Sequence, residues 1–186
     1  DTRTIQRGDL YAMYSSVSES ITVDMKAMMI PIDDHLVHRG DGVFETVKCI
    51  QGNIYNLDAH IERLIYSCSQ IGVSFPVSKD QLSHVVIETI RAGKQPDVMI
   101  RILVSRGLGT MGINPYECTG EQFYVIVYAP PKATINTDML NGVNIALSEV
   151  PIKSGVLATV KTCNYLPNVL MKKEAIDQEV DFTISI

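Results

Sequence analysis

The sequence predicts an α+β fold, and three observations predict it. Two stretches have the turn chemistry of β-hairpins, two helical patterns end at glycine, and two further apolar runs have strand length. "DLYAMYSSVSESITVD" carries two β-prone runs divided by serines, consistent with a hairpin. "MMIPIDDHLVHRGDG" reads as a connector that ends in two glycines. "VFETVKCIQGNIYNL" gives a strand, a Gln-Gly-Asn turn and a second strand, the stronger hairpin signal. In "AHIERLIYSCSQIG", Ile61, Leu64, Ile65, Cys68 and Ile71 recur at helical spacing, with Asp58 as candidate cap and Gly72 as stop. Ser78 opens a second helix, again ended by glycine. "DVMIRILVSRG" is a strand, "LGTMGINPYECTG" a long loop, and "QFYVIVYA" a strand apolar enough to be buried on both faces.

These elements fill residues 1–128 as one small α+β domain. "APPKATIN" contains the chain's Pro-Pro and predicts an interdomain linker at 129–135. From 136 to 186 the pattern gives a strand in "NGVNIALSEV", an irregular connector, a helix from about Asn164 to Gln178 and a strand in "VDFTISI". Two strands and one helix close a core poorly. The second domain is therefore expected to be the beginning of a larger one, with the chain a fragment.

Composition narrows the function classes. The net charge of −5 supplies no basic field for nucleic acid or an acidic membrane. No apolar run approaches the ~18 residues needed to span a bilayer. "DTRTIQRGDL" lacks the apolar core of a secretory signal, so a cytoplasmic protein is expected, with an organelle left open. Cys49, Cys68, Cys118 and Cys163 lie far apart without CxxC spacing, and His35 and His38 have no third ligand at a suitable spacing. Buried thiols and no metal site are the expectation.

The segment that carries chemistry is "ATVKTCNYLPNVLMKKEA", residues 158–175. Leu166, Val169, Leu170 and Ile176 fall near one face of a helix whose first turn tolerates Pro167 and whose candidate N-cap is Asn164. Lys161 stands just before that helix, where the macrodipole disfavours a cation and favours the uncharged amine that attacks carbonyl carbons. Taken alone, a lysine near a helix start is usually just a solvated cation, and composition and spacing do not overturn that reading of position 161.

Four segments in order resemble the class IV, pyridoxal-phosphate-dependent aminotransferases: "HRGDGVFETVKCIQGNIYNLDAHIERL", "IRILVSRGLGTMGINP", "LSEVPI" and "ATVKTCNYLPNVLMKKEA". This fold-type IV family includes branched-chain aminotransferase, D-amino acid transaminase and aminodeoxychorismate lyase. The wording "MYSS…DDHLVHRGDGVFET…ATVKTCNYLPNVL" is most similar to its D-amino-acid-aminotransferase-like branch.

The resemblance implies the D-amino-acid-aminotransferase-like fold, pyridoxal 5'-phosphate as cofactor, and a homodimer. It implies transfer of an amino group between an amino acid (branched-chain or D-) and a 2-oxo acid. Lys161 would hold the cofactor as a Schiff base and then shuttle the substrate's proton. Tyr165 would hydrogen-bond the cofactor's phenolic oxygen, against the alternative of an aromatic anchor at the helix start. Arg63 would grip the phosphate with its guanidinium fork, against the alternative of a solvated helix arginine. Arg106 or Arg101 would take the substrate carboxylate. Being five residues apart, both cannot face the site from one strand, although Arg106 could already lie in the loop. Phe44 would line the substrate pocket or simply fill the core, and Arg39 would favour an acidic substrate. The rest of the larger domain, with the carboxylate that keeps the pyridine nitrogen protonated, would lie beyond Ile186, so activity is expected of the parent protein. Two alternatives stay open: a lyase that releases pyruvate from aminodeoxychorismate, and a truncated, non-catalytic paralogue.

Overall fold

A computed structural model describes residues 9–131 and 142–186 of the chain. The contacts divide these residues into two units: 9–131 together with Lys161–Cys163, and 142–160 together with 164–186. The first unit thus takes back three residues from the segment that the sequence assigns to the second domain. Residues 132–135 of the expected linker lie outside the described residues.

The first unit is built on a six-stranded antiparallel sheet. β1 (Leu10–Ser15) and β2 (Ser20–Thr22) form the first hairpin, β3 (Gly42–Ile50) and β4 (Asn53–Ile54) the second. β5 (Val98–Ser105) and β6 (Gln122–Tyr128) complete the order β2-β1-β6-β5-β3-β4. The second hairpin turns at Gln51-Gly52, where both residues have positive φ (50° and 76°), the geometry a two-residue turn with native twist requires. The α+β expectation holds.

Between the hairpins the structure holds a helix that the sequence reading treats as connector. This α1 (His35–Arg39) is only five residues long, too short to show a period. Its ends are nonetheless written in the chain. Asp34 accepts from the Leu36 N–H at the start, and Gly40 adopts the left-handed conformation at the stop. α2 (Leu57–Gln70) buries Ile61, Leu64 and Cys68, as its spacing predicts, but its N-cap is Asn56 rather than Asp58, which lies in the first turn. α3 (Lys79–Gly93) opens on a complete capping box, Ser78 with Gln81. Gly93 is its last residue rather than its stop; Lys94 carries the left-handed turn, and a Cβ at Gly93 would crowd Tyr11 at 3.1 Å.

α2 packs on β3, and α3 on β1 and β6. The register puts Val43, Glu45 and Val47 of β3 beside Val104, Ile102 and Ile100 of β5, all fully buried. Because strand side chains alternate, Phe44, Arg101, Leu103 and Tyr124 share the opposite face. β6 is central, as its apolar run predicts, with Phe123, Tyr124, Val125 and Val127 buried.

The long loop after β5 is pinched at its neck. Gly107 and Gly120 bridge, and a Cβ on Gly107 (φ 111°) would stand 1.8 Å from the Gly120 carbonyl oxygen. A 3-10 turn at Pro115–Glu117 shapes the tip, where Met111, Ile113 and Tyr116 are exposed. Three carbonyls tether it: Thr110 faces His35 Nε2 at 3.1 Å, Gly112 accepts from Arg39 Nε at 3.1 Å, and Met111 accepts from Arg39 Nη2.

In the second unit β7 (Ile145–Leu147) pairs in parallel with β8 (Phe182–Ile184). α4 (Val156–Thr159) interrupts the stretch expected to be irregular. α5 (Leu166–Asp177) starts two residues later than predicted, with Tyr165 rather than Asn164 at the cap and Pro167 in the first turn. Thr183 Oγ1 donates to the Met171 carbonyl at 2.9 Å and Ser148 to Glu174, so both strands are fastened to α5.

Candidate active site

Strand β3 organises the site. Its outer edge is covered by β4 only at Cys49 and Ile50. At the other end, residues 161–163 lie alongside it: Phe44 N–H donates to the Lys161 carbonyl (3.0 Å), and Cys163 N–H donates to the Gly42 carbonyl (2.8 Å). Gly42 itself is packed tightly against β5 and α1, where a Cβ would lie 2.6 Å from the Val104 oxygen and 2.9 Å from Leu36 Cδ1. Lys161 is therefore placed by an antiparallel bridge to β3, a tie invisible to the helix-start argument made from its neighbours. Its Nζ stands 4.3 Å from the centroid of the Phe44 ring. Arg101, on the same face, holds its guanidinium carbon 5.3 Å from that ring and 5.8 Å from the ring of Tyr128. Three of the predicted residues, Lys161, Phe44 and Arg101, are thus brought together.

Arg63 is anchored one residue along, on the helix side of β3. Its Nε donates to Glu45 Oε1 at 2.5 Å and its Nη2 to Oε2 at 2.7 Å. His60 Nδ1 reaches the same Oε2 at 2.9 Å. Burial alone would push the Glu45 carboxyl up, but the hydrogen bonds and charges of Arg63 and His60 outweigh it and hold the group below the ordinary carboxylate range. The Arg63 guanidinium is pushed up in turn, chiefly by the Glu45 hydrogen bond.

Two further arginines are bonded to the protein's own scaffold. Arg106, just past β5, is held by Asp41 through Nε (2.7 Å) and Nη2 (3.0 Å) and also donates to the carbonyls of Gly72 and Ile71. A guanidinium with four bonds to its own scaffold braces the ends of α1, α2 and β5. Arg39 ties α1 to the loop tip through the carbonyls of Met111 and Gly112. Tyr165 belongs to the second unit, where the Lys153 ammonium lies 5.1 Å from its ring centroid.

Four positions escaped sequence reasoning: Asp34, Asp41, Glu45 and His60. Asp34, fully buried, accepts from the Leu36 N–H, from Tyr124 Oη at 2.5 Å and from Ser105 Oγ. The one available signal was Glu45, a carboxylate inside an apolar strand, which must have a partner.

The family model for class IV amino-transferases matches residues 42–186. The chain belongs to the class IV aminotransferases. It is 40% identical over 164 residues to the chloroplastic D-amino-acid transaminase of Arabidopsis thaliana, covering 88% of this chain and 43% of that protein. It is 31% identical over 153 residues to a putative branched-chain-amino-acid aminotransferase of Methanocaldococcus jannaschii, covering 82% of this chain and 52% of that one. The class IV chain thus spans about half the length of these relatives. Its fold matches a T.th. branched-chain amino acid aminotransferase, solved with pyridoxamine 5'-phosphate, at a TM-score of 0.84. That match has 18% identity and covers 95% of this chain and 59% of the other. No helix among the described residues is long and apolar enough to cross a membrane.

Proposed function

We propose that this chain is the lysine-bearing part of a pyridoxal-phosphate-dependent aminotransferase that moves an amino group between an amino acid and a 2-oxo acid. One observation carries the reading: Lys161 and Arg63 are fastened to consecutive residues of β3, Phe44 and Glu45, through bonds that fix backbone and guanidinium. Nζ lies on the Phe44 face of β3 and the Arg63 fork on its helix face, so an aromatic aldehyde that carries a phosphate would reach both around the strand's edge, which β4 covers only at Cys49 and Ile50. Family membership and the fold supply the context.

Lys161 would carry the cofactor covalently through Nζ and, once displaced by substrate, move the proton at the substrate's Cα. Arg63 would hold the phosphate. The bound cofactor supplies an electron sink that makes that Cα–H acidic. Arg101 is the better candidate for the substrate carboxylate, because Arg106 is occupied by Asp41 while Arg101 is exposed on the face of Phe44 and Lys161. Phe44 would line the pocket from the ring face that Lys161 touches, and Tyr165 would reach the cofactor's phenolic oxygen. A D-amino acid is the preferred substrate class, on the strength of the 40% identity to the Arabidopsis transaminase, and a branched-chain amino acid the runner-up. The active form would be a homodimer. An organelle, as for the Arabidopsis enzyme, stands beside the cytoplasmic expectation.

The test is reduction of the full-length protein with borohydride in the presence of pyridoxal phosphate. The adduct is expected on the peptide containing Lys161 and is expected to vanish in Lys161→Ala; an adduct on another lysine rejects the assignment. Turnover that needs a 2-oxo acid acceptor separates the transaminase from the lyase, which releases pyruvate without one.

A further inference from the structure

Glu45 is out of place by the ordinary rules of a core. It is fully buried between Val43 and Val47 on the helix-facing side of β3, where an apolar residue would pack without desolvating a charge. What it receives there is a set of three bonds from two residues of α2, His60 and Arg63, brought to one face by i, i+3 spacing. They use two of the five N–H groups of Arg63 on a single edge, and the arginine side chain is still 57% exposed. A planar guanidinium gripped along one edge has its opposite edge aimed in a fixed direction. An ionised carboxylate only accepts, so His60 Nδ1 is the donor, and it braces the carboxylate at Oε2, the oxygen that Arg63 Nη2 also uses.

We propose that Glu45 and His60 are positioning residues that lock the Arg63 guanidinium with its outer edge presented to a phosphate oxyanion. This rests on the reading that Arg63 takes the cofactor's phosphate. It also makes a prediction of opposite sign to simple electrostatics. Glu45 cancels the charge of Arg63, so a site governed by net charge would bind phosphate more tightly when Glu45 is neutralised. A site governed by orientation would bind it less tightly.

The experiment measures dissociation constants of pyridoxal phosphate and of unphosphorylated pyridoxal with the full-length protein, together with the 31P resonance of the bound cofactor. Arg63→Ala is expected to weaken pyridoxal phosphate while sparing pyridoxal; equal affinities for both ligands before and after would remove the phosphate reading and the inference with it. Glu45→Gln, which keeps the shape, is expected to weaken pyridoxal phosphate about tenfold, again sparing pyridoxal, and to shift the 31P line. If Arg63→Ala behaves as expected but Glu45→Gln binds pyridoxal phosphate as well as or better than wild type, or weakens both ligands equally, only the positioning role is overturned. Should Glu45→Gln fail to fold, His60→Ala on the partly exposed face of α2 decides: a roughly threefold loss confined to pyridoxal phosphate supports the brace, and an unchanged ratio of the two affinities rejects it.

Discussion

At the scale of single residues, ionisation follows burial and partners. Burial pushes the thiols of Cys163 and Cys68 up to about 12. At pH 8 the reactive thiolate is then on the order of one part in ten thousand. Both are expected to resist iodoacetamide in the native protein, and peptide mapping that finds either alkylated within minutes at that pH contradicts the packing. Glu45 gives a pH dependence of definite sign. Its folded-state value lies below the ordinary 4.5, so its contribution to stability is complete above that pH and is lost as pH falls through the folded value. Melting temperature should therefore fall on acidification below about pH 4.5, and less steeply in Glu45→Gln; parallel curves for the two proteins would show that the carboxylate is not coupled to folding. Little of this was legible in the chain. Arg106 meets an aspartate 65 positions away, so the sequence offered an arginine of the right kind and no means of seeing that it was occupied.

At the scale of elements, the ends of helices and the necks of loops carry the local energetics. Ser78→Ala removes one half of the capping box of α3 and should cost about 1 kcal/mol, read from the urea midpoint. Gly107→Ala places a methyl against the Gly120 carbonyl and forces a side chain into positive φ, and should cost at least about 3 kcal/mol. A midpoint equal to wild type would mean that the neck is open in solution. Elements with their own turn or cap chemistry, or an apolar run of strand length, were readable: the Gln51-Gly52 hairpin, the Ser78 helix, and the strands β5 and β6. α1 was not, since five residues give no periodicity and only Asp34 and Gly40 betray it. The tether of residues 161–163 to β3 was beyond reach as well, because a single bridge between positions so distant in sequence leaves no local pattern.

At the scale of the whole molecule, the two units differ in how completely their strands are paired. β5 has a neighbour on each side along nearly its whole length, whereas β7 and β8 share three paired positions and expose Ile145, Leu147, Phe182 and Ile184. In the 186-residue chain, hydrogen exchange should be slowest for the amides of β5 and β6 and fast in β7 and β8; uniform protection would contradict this division. The fold class was legible because it follows from many independent turn and period signals, while the site depends on a few contacts between remote segments. The pinched loop after β5 has one more implication. Its anchors to α1 are the backbone oxygens of Thr110, Met111 and Gly112, and its neck is two glycines. The identities of Met111, Ile113 and Tyr116 are therefore decoupled from the loop's shape. Descendants of this gene can rewrite the three apolar letters at the tip, and with them whatever the loop meets, while the scaffold beneath inherits no penalty.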